Sequence, residues 1–192
     1  MPRTYVKNRR ADNQAETRQR IVNAAVALHG EIGPAATTIS MIAERAGVQR
    51  HTVYAHFADE LSLLMACSAS HLEQHPPPSP ADWEAVKEPA PRLTLALTAL
   101  YDWFARNRNM VGNVLRDAEH NALLQKVSDL RFGSAFSAIF QSLAPNLGER
   151  GKAMLGVALS FYTWRSLTGI SGAKPKDAVA LMVRAVLSAD AE

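Results

Sequence analysis

Residues 37–57 read TTISMIAERAGVQRHTVYAHF, and the spacing within them decides the architecture. Thr38 suits the N-cap of a short helix carrying Ile42, Ala43 and Ala46 on one face. Gly47 stands where that helix must end in a left-handed residue, and Val48 packs into the elbow. A second short helix follows from about Gln49 to His56. Two helices of this length, joined by a tight glycine turn, predict a helix-turn-helix. At about 100° per residue, Val53 and Phe57 share the buried face of the second helix. His51 and Ala55 then point away from the core, with Arg50 and Tyr54 on one shoulder and Thr52 and His56 on the other. A thin apolar seam beneath a donor-rich surface suits the major groove of DNA. Arg50 can pair with a guanine edge, while hydroxyls and imidazoles reach phosphates. Singly, these residues have plainer readings: Tyr54 as packing with its hydroxyl wet, a histidine as a solvated or core side chain. Only their combination in this register is specific.

Working outward, the apolar positions recur at three and four, and alternating β-branched runs are missing, so the chain reads as all-α. A first helix is expected over about 14–32, opened by a capping box from Asn13 to Glu16 and closed by Gly33-Pro34. Its apolar face is Ile21, Ala25, Leu28 and Ile32. Asp59 caps a fourth helix, with Leu63, Leu64 and Cys67 inside, which stops at HPPPSP (75–80). Further helices are expected near 91–107, 110–117, 120–143, 149–168 and 175–189, the last starting at Pro175, for about nine in all. The expected domains are a DNA-binding helix-turn-helix domain over 1–58, with a basic N-terminal arm, and a helical domain over 59–192 joined through the fourth helix.

Composition narrows the classes. A hydrophobic fraction of 47% over 192 residues supports real cores and argues against disorder. The single cysteine, Cys67, cannot form an internal disulfide, which fits a cytoplasmic protein. The basic N-terminus leads into no apolar run, so no signal peptide is expected, and LTLALTAL is too short to span a bilayer. The net charge of +3 is unevenly spread: residues 1–57 sum to +4 and the remainder to −1. A basic first third can neutralise phosphates, although a basic tail is equally often just solvated.

The pattern T-x-x-x-I-A-x-x-A-G-V, then x-x-x-T-V-Y-x-H-F, resembles the DNA-binding domain of TetR-type (AcrR-type) repressors, as does TRQRIVNAA at 17–25. The close resemblance covers about residues 14–66; beyond them only helix pattern and length agree. It implies that Thr38 touches a phosphate, that Arg50 and His51 start the base-reading edge, and that Thr52, Tyr54 and His56 contact the backbone. It also implies a homodimer on a palindromic operator, a small-molecule effector, and repression. Two departures stand out. Gln49 replaces the usual Ser or Thr, leaving the second helix less conventionally capped. Glu60 replaces a common phosphate-contacting Lys; its carboxylate suits the helix dipole but repels DNA.

In the C-terminal half, 149–168 is apolar nearly all round, so one side is expected to meet the core and the other a partner subunit, completed by 175–189. Trp103, Phe104, Phe136, Phe140, Phe161 and Trp164 are candidates to line an effector pocket, with Arg106, Arg116, His120 and Arg165 as polar partners. An aromatic stripe at this spacing describes plain core just as well. An abundance of rings points to a hydrophobic or aromatic effector. His71 and His75 have a metal-compatible spacing but sit at a helix end beside prolines, with no acidic ligand close by in a matching motif, and Asp117, Glu119 and His120 are catalytic only by type. No phosphate loop or nucleophile elbow occurs. The expectation is therefore no enzyme, no cofactor and no metal; a constitutive DNA-binding protein without effector is the competing reading.

Overall fold

The computed structural model describes residues 3–190, with side chains from residue 11 onward, and every regular element among them is helical. There are ten α-helices: α1 (Arg3–Glu31), α2 (Ile39–Ala46), α3 (Arg50–His56), α4 (Glu60–Gln74), α5 (Pro89–Arg106), α6 (Arg108–Ala118), α7 (Ala122–Leu143), α8 (Glu149–Ala158), α9 (Phe161–Arg165) and α10 (Pro175–Ser188). A short 3-10 helix, Pro80–Asp82, interrupts the proline-rich connection and is opened by a capping box between Ser79 and Asp82. The chain divides into two compact units. One holds the residues up to Gln74 together with Gly112–Asp129; the other holds His75–Val111 and the residues from Leu130 onward.

Two expectations about helices fail. Helix α1 begins at Arg3, not near residue 14, so Asn13 lies inside it and the predicted capping box does not form. Nothing between Arg3 and Glu16 is a glycine or proline, and Arg, Lys, Ala and Gln there all favour continued helix. The side chains of the basic arm (Arg3, Lys7, Arg9, Arg10) lie outside the described residues. The long helix expected over 149–168 is broken at Leu159–Ser160. Ser160 adopts an extended conformation (ψ 133°) and its hydroxyl accepts from the Tyr162 amide at 3.2 Å, which starts α9 as a new helix. A serine hydroxyl competing for backbone donors favours a cap over a helix interior. Beyond Arg165 the backbone widens into a π-type turn, Ser166–Ile170.

The first unit is built on α1–α4. Ile21, Val22, Ala25 and Leu28 of α1 pack against Ile42, Ala43 and Ala46 of α2, Val53 and Phe57 around α3, and Leu63 and Cys67 of α4. Ile32, past the end of α1, is exposed instead of completing that face. Burial pushes the Cys67 thiol up to about 12, although the Arg18 charge pulls the other way, so it behaves as an inert core residue. Leu64, also on α4, packs with Leu124 and Val127 of α7. In the second unit, Leu93, Leu97, Leu100 and Phe104 of α5 are buried, as are Val179, Val183 and Val186 of α10. Leu130 is exposed rather than inward. The buried Trp83 donates from Nε1 to Ser142 Oγ at 3.0 Å, and the Tyr101 hydroxyl donates to the Ala158 carbonyl at 3.0 Å.

Candidate nucleic-acid interface

The elbow is made by local chemistry. The Met41 amide donates to Thr38 Oγ1 at 3.3 Å, which caps α2. Gly47 takes φ 65°, ψ 40°, and its amide returns to the carbonyls of Ala43 and Glu44. Arg20 on α1 donates to the Ala46 carbonyl at 3.2 Å, satisfying one of the acceptors the helix end leaves open. Gln49 occupies the N-cap of α3 without any side-chain cap hydrogen bond. Asp59 accepts from the Ser62 amide at 2.7 Å and starts α4.

Helix α3 lies in the expected register. Val53 and Phe57 are 1% and 3% exposed, which fixes the opposite face outward. Arg50, His51, Tyr54 and Ala55 are exposed; Thr52 and His56 on the flank are half-buried. Arg18 of α1 lies over the Phe57 ring at 4.8 Å and secures the underside. Thr38 is exposed at the start of α2. Thr38 and Tyr54 open onto one cleft of about 370 Å³, together with Asp59 and Glu60. Arg50, His51, Thr52 and His56 lie outside that cleft, along α3. One face therefore offers a guanidinium, imidazoles and hydroxyls at the end of an elbow.

Profile and fold agree with that geometry. Residues 21–67 match the family model described as bacterial regulatory proteins, tetR family. Residues 21–67 carry the DNA-binding segment of the TetR family. Over 61 residues, 32% of this chain, it is 46% identical to the HTH-type transcriptional regulator SrpR of Pseudomonas putida, a match covering 28% of SrpR. It is likewise 46% identical over 61 residues to TtgW, an uncharacterized HTH-type transcriptional regulator of a Pseudomonas putida strain, covering 44% of that protein. The matched stretch thus spans less than half of either relative. The fold extends further. A tetR-family transcriptional regulator from Streptomyces coelicolor superposes with TM-score 0.62 at 19% identity, over 92% of this chain and 81% of that one. EbrR, a multidrug binding protein solved with imidazole, gives TM-score 0.59 at 19% identity over 88% and 93%. The relatives that share this segment are HTH-type transcriptional regulators.

The aromatic candidates lie in the second unit. Phe104 stands between Phe136 (6.2 Å between centroids), Phe161 (5.4 Å) and Trp164 (5.8 Å), and Trp103 meets Phe136 at 6.3 Å. Phe132, which the helical pattern did not single out, joins Trp103 at 6.2 Å and Phe136 at 6.5 Å. Phe140 is half-buried on α7. Of the polar candidates, Arg106, His120 and Arg165 are exposed, Arg165 standing 5.5 Å over the Tyr162 ring. Arg116 belongs to the first unit, paired with the buried Asp117. Among the described residues, no three His, Cys, Asp or Glu side chains gather as a metal site, and no helix is long and apolar enough to cross a membrane.

Proposed function

We propose that this protein is a TetR-family transcriptional regulator that binds a palindromic operator as a homodimer, represses from it, and is released by a small hydrophobic or aromatic effector in the cytoplasm. The observation that carries the DNA reading is the register of α3, with Val53 and Phe57 buried and Arg50, His51 and Tyr54 outward beyond the Gly47 elbow. In this reading Arg50 and His51 read bases, while Thr38, Thr52, Tyr54 and His56 hold the phosphates. One such element reads only a few base pairs, so specificity requires two copies on successive major grooves. The apolar side chains Val157, Tyr162 and Leu181 stand 48%, 38% and 42% exposed on α8, α9 and α10, which supports pairing through the 149–168 and 175–189 segments. Effector release follows from linkage: a ligand favouring a conformer whose readers no longer match successive grooves must lower DNA affinity by the same factor.

The test is a selection of 30-base-pair duplexes from a random pool, repeated with Arg50→Ala. The wild type should enrich a two-fold symmetric site, and the variant should lose preference at one position of each half-site by about 1–3 kcal/mol. Enrichment of no sequence, or an unaltered preference in the variant, overturns the assignment. A second reading, constitutive binding without effector, is favoured by the ring packing itself, since centroids 5.3–6.5 Å apart are what an ordinary aromatic core shows. Release of the selected duplex by a panel of small aromatic compounds supports the effector; binding indifferent to all of them supports the constitutive reading.

A further inference from the structure

Helix α6 carries a cluster of polar side chains at Asn113, Arg116 and Asp117 whose hydrogen bonds converge on one short segment. Asn113 Nδ2 donates to the carbonyls of His29 and Gly30 at 3.1 and 3.0 Å, in the last turn of α1. Arg116 Nη2 donates to the Ile32 carbonyl at 3.2 Å. The Asp117 carboxylate, 8% exposed, accepts from the Ala35 amide at 2.9 Å on one oxygen and from Arg116 Nε at 2.8 Å on the other. Arg116 also reaches Asn113 Oδ1 at 3.1 Å, so the three side chains brace one another. Between these contacts stands Gly33 at φ 96°, where a Cβ would collide with Arg116 Nη2 and Asp117 Oδ2. The clasped turn continues directly into the reader. Thr37 Oγ1 donates back to the Gly33 carbonyl at 2.7 Å, and the next residue, Thr38, caps α2. All of these residues fall within the same compact unit.

We propose that Asn113, Arg116 and Asp117 are positioning residues of the DNA reader: from α6 they fix the α1–α2 turn and thereby the Thr38 end of α2. The proposal rests on the reading of Thr38 as a phosphate anchor. A buried carboxylate that accepts a backbone amide on one side and a guanidinium on the other has few alternative geometries, so it sets the turn rather than merely covering it. Their effect passes through Gly33–Thr37, the segment their hydrogen bonds hold. Arg116 and Asp117 are thus tied to the reader, not to an effector pocket or a catalytic set.

The experiment compares wild type, Asn113→Ala, Asp117→Ala and the conservative Asn113→Gln as full chains. Hydrogen exchange at the amides of Ala35 and Met41 reads the clasp directly, exchange at Ala25 and Ala43 reads the core, and anisotropy with a duplex selected by the wild type reads DNA binding. Both alanine variants should speed exchange at Ala35 and Met41 at least tenfold while Ala25 and Ala43 change less than twofold. Affinity should fall about tenfold with the salt dependence unchanged, because no phosphate contact of their own is removed. Asn113→Gln, which keeps both amide donors, should recover most of the affinity. Uniformly faster exchange in parallel with the affinity loss would reduce the cluster to a structural role and overturn the proposal, as would faster exchange at Ala35 with unchanged affinity. If the wild type selects no duplex, the DNA reading itself fails, and the exchange pattern alone then decides whether the clasp holds the turn.

Discussion

His29 lies in the last turn of α1 at 7% exposure, and burial lowers its imidazole from 6.5 to about 4, against the opposing pull of the Asp117 carboxylate. Folded protein therefore keeps this ring neutral at a pH where the unfolded chain protonates it. Between about 6.5 and 4 the unfolded state binds more protons, so stability rises with pH in that window and is lost as pH falls through it. The gap between the two values corresponds to roughly 3 kcal/mol, of which about 2 kcal/mol is lost between pH 7 and pH 5. Below about 4 the group is protonated in both states and contributes no further slope.

The assay must look at the right body. Trp83, Trp103 and Trp164 all fall in the second unit, so tryptophan fluorescence does not report on the unit that holds His29. Opening free energies from hydrogen exchange at Ile42 and Ala43, which pack in the same core as α1, do. The wild type should lose about 2 kcal/mol there from pH 7 to pH 5, and His29→Gln should start lower at pH 7 but show a slope flatter by that amount. A direct NMR titration should find one imidazole that stays neutral down to about pH 4 and is missing from the variant. Titration of the His29 imidazole itself near 6.5, or an unchanged slope in His29→Gln, would refute the reasoning.

Three other perturbations have defined outcomes. Glu60→Lys replaces an exposed carboxylate beside Thr38 and Tyr54 with a cation. Duplex affinity should rise about tenfold at low salt and the salt slope steepen by about 1; an unchanged slope would place that cleft away from phosphate. Gly151→Ala puts a Cβ into the Asp190 carboxylate, which caps α8 by accepting from the Gly148 and Gly151 amides at 2.7 and 2.9 Å. Tryptophan-monitored urea unfolding should show a loss of about 1–2 kcal/mol, with Asp190→Ala adding little to it. Ser142→Ala leaves the buried Trp83 N–H without its acceptor and should cost about 1–3 kcal/mol by the same assay, a cost that largely disappears when Trp83→Phe is made first.

What could be read in advance divides by the distance at which each residue finds its partner. The Thr38 cap, the Gly47 elbow, the Asp59 cap and the register of Val53 against Phe57 are satisfied within four residues, so spacing alone placed them. The break at Ser160 is equally local, but a serine inside an apolar run is tolerated in many helices; its competing hydroxyl decided the outcome only with the surrounding packing in place. Phe132 stands four residues before Phe136 on α7, so that contact was legible from spacing and was overlooked. Its contact with Trp103 of α5 was not, because spacing assigns a face and not a partner helix. Asp117 is the furthest case. By type it looked like a catalytic acid, and Arg116 like an effector contact, yet Asp117 takes its amide partner 82 residues away, on the turn that leads to Thr38. A buried carboxylate must find donors, but sequence specifies only that need and not where it is met. Here it is met at the entrance to the DNA reader, which makes α6 part of the reader's own architecture.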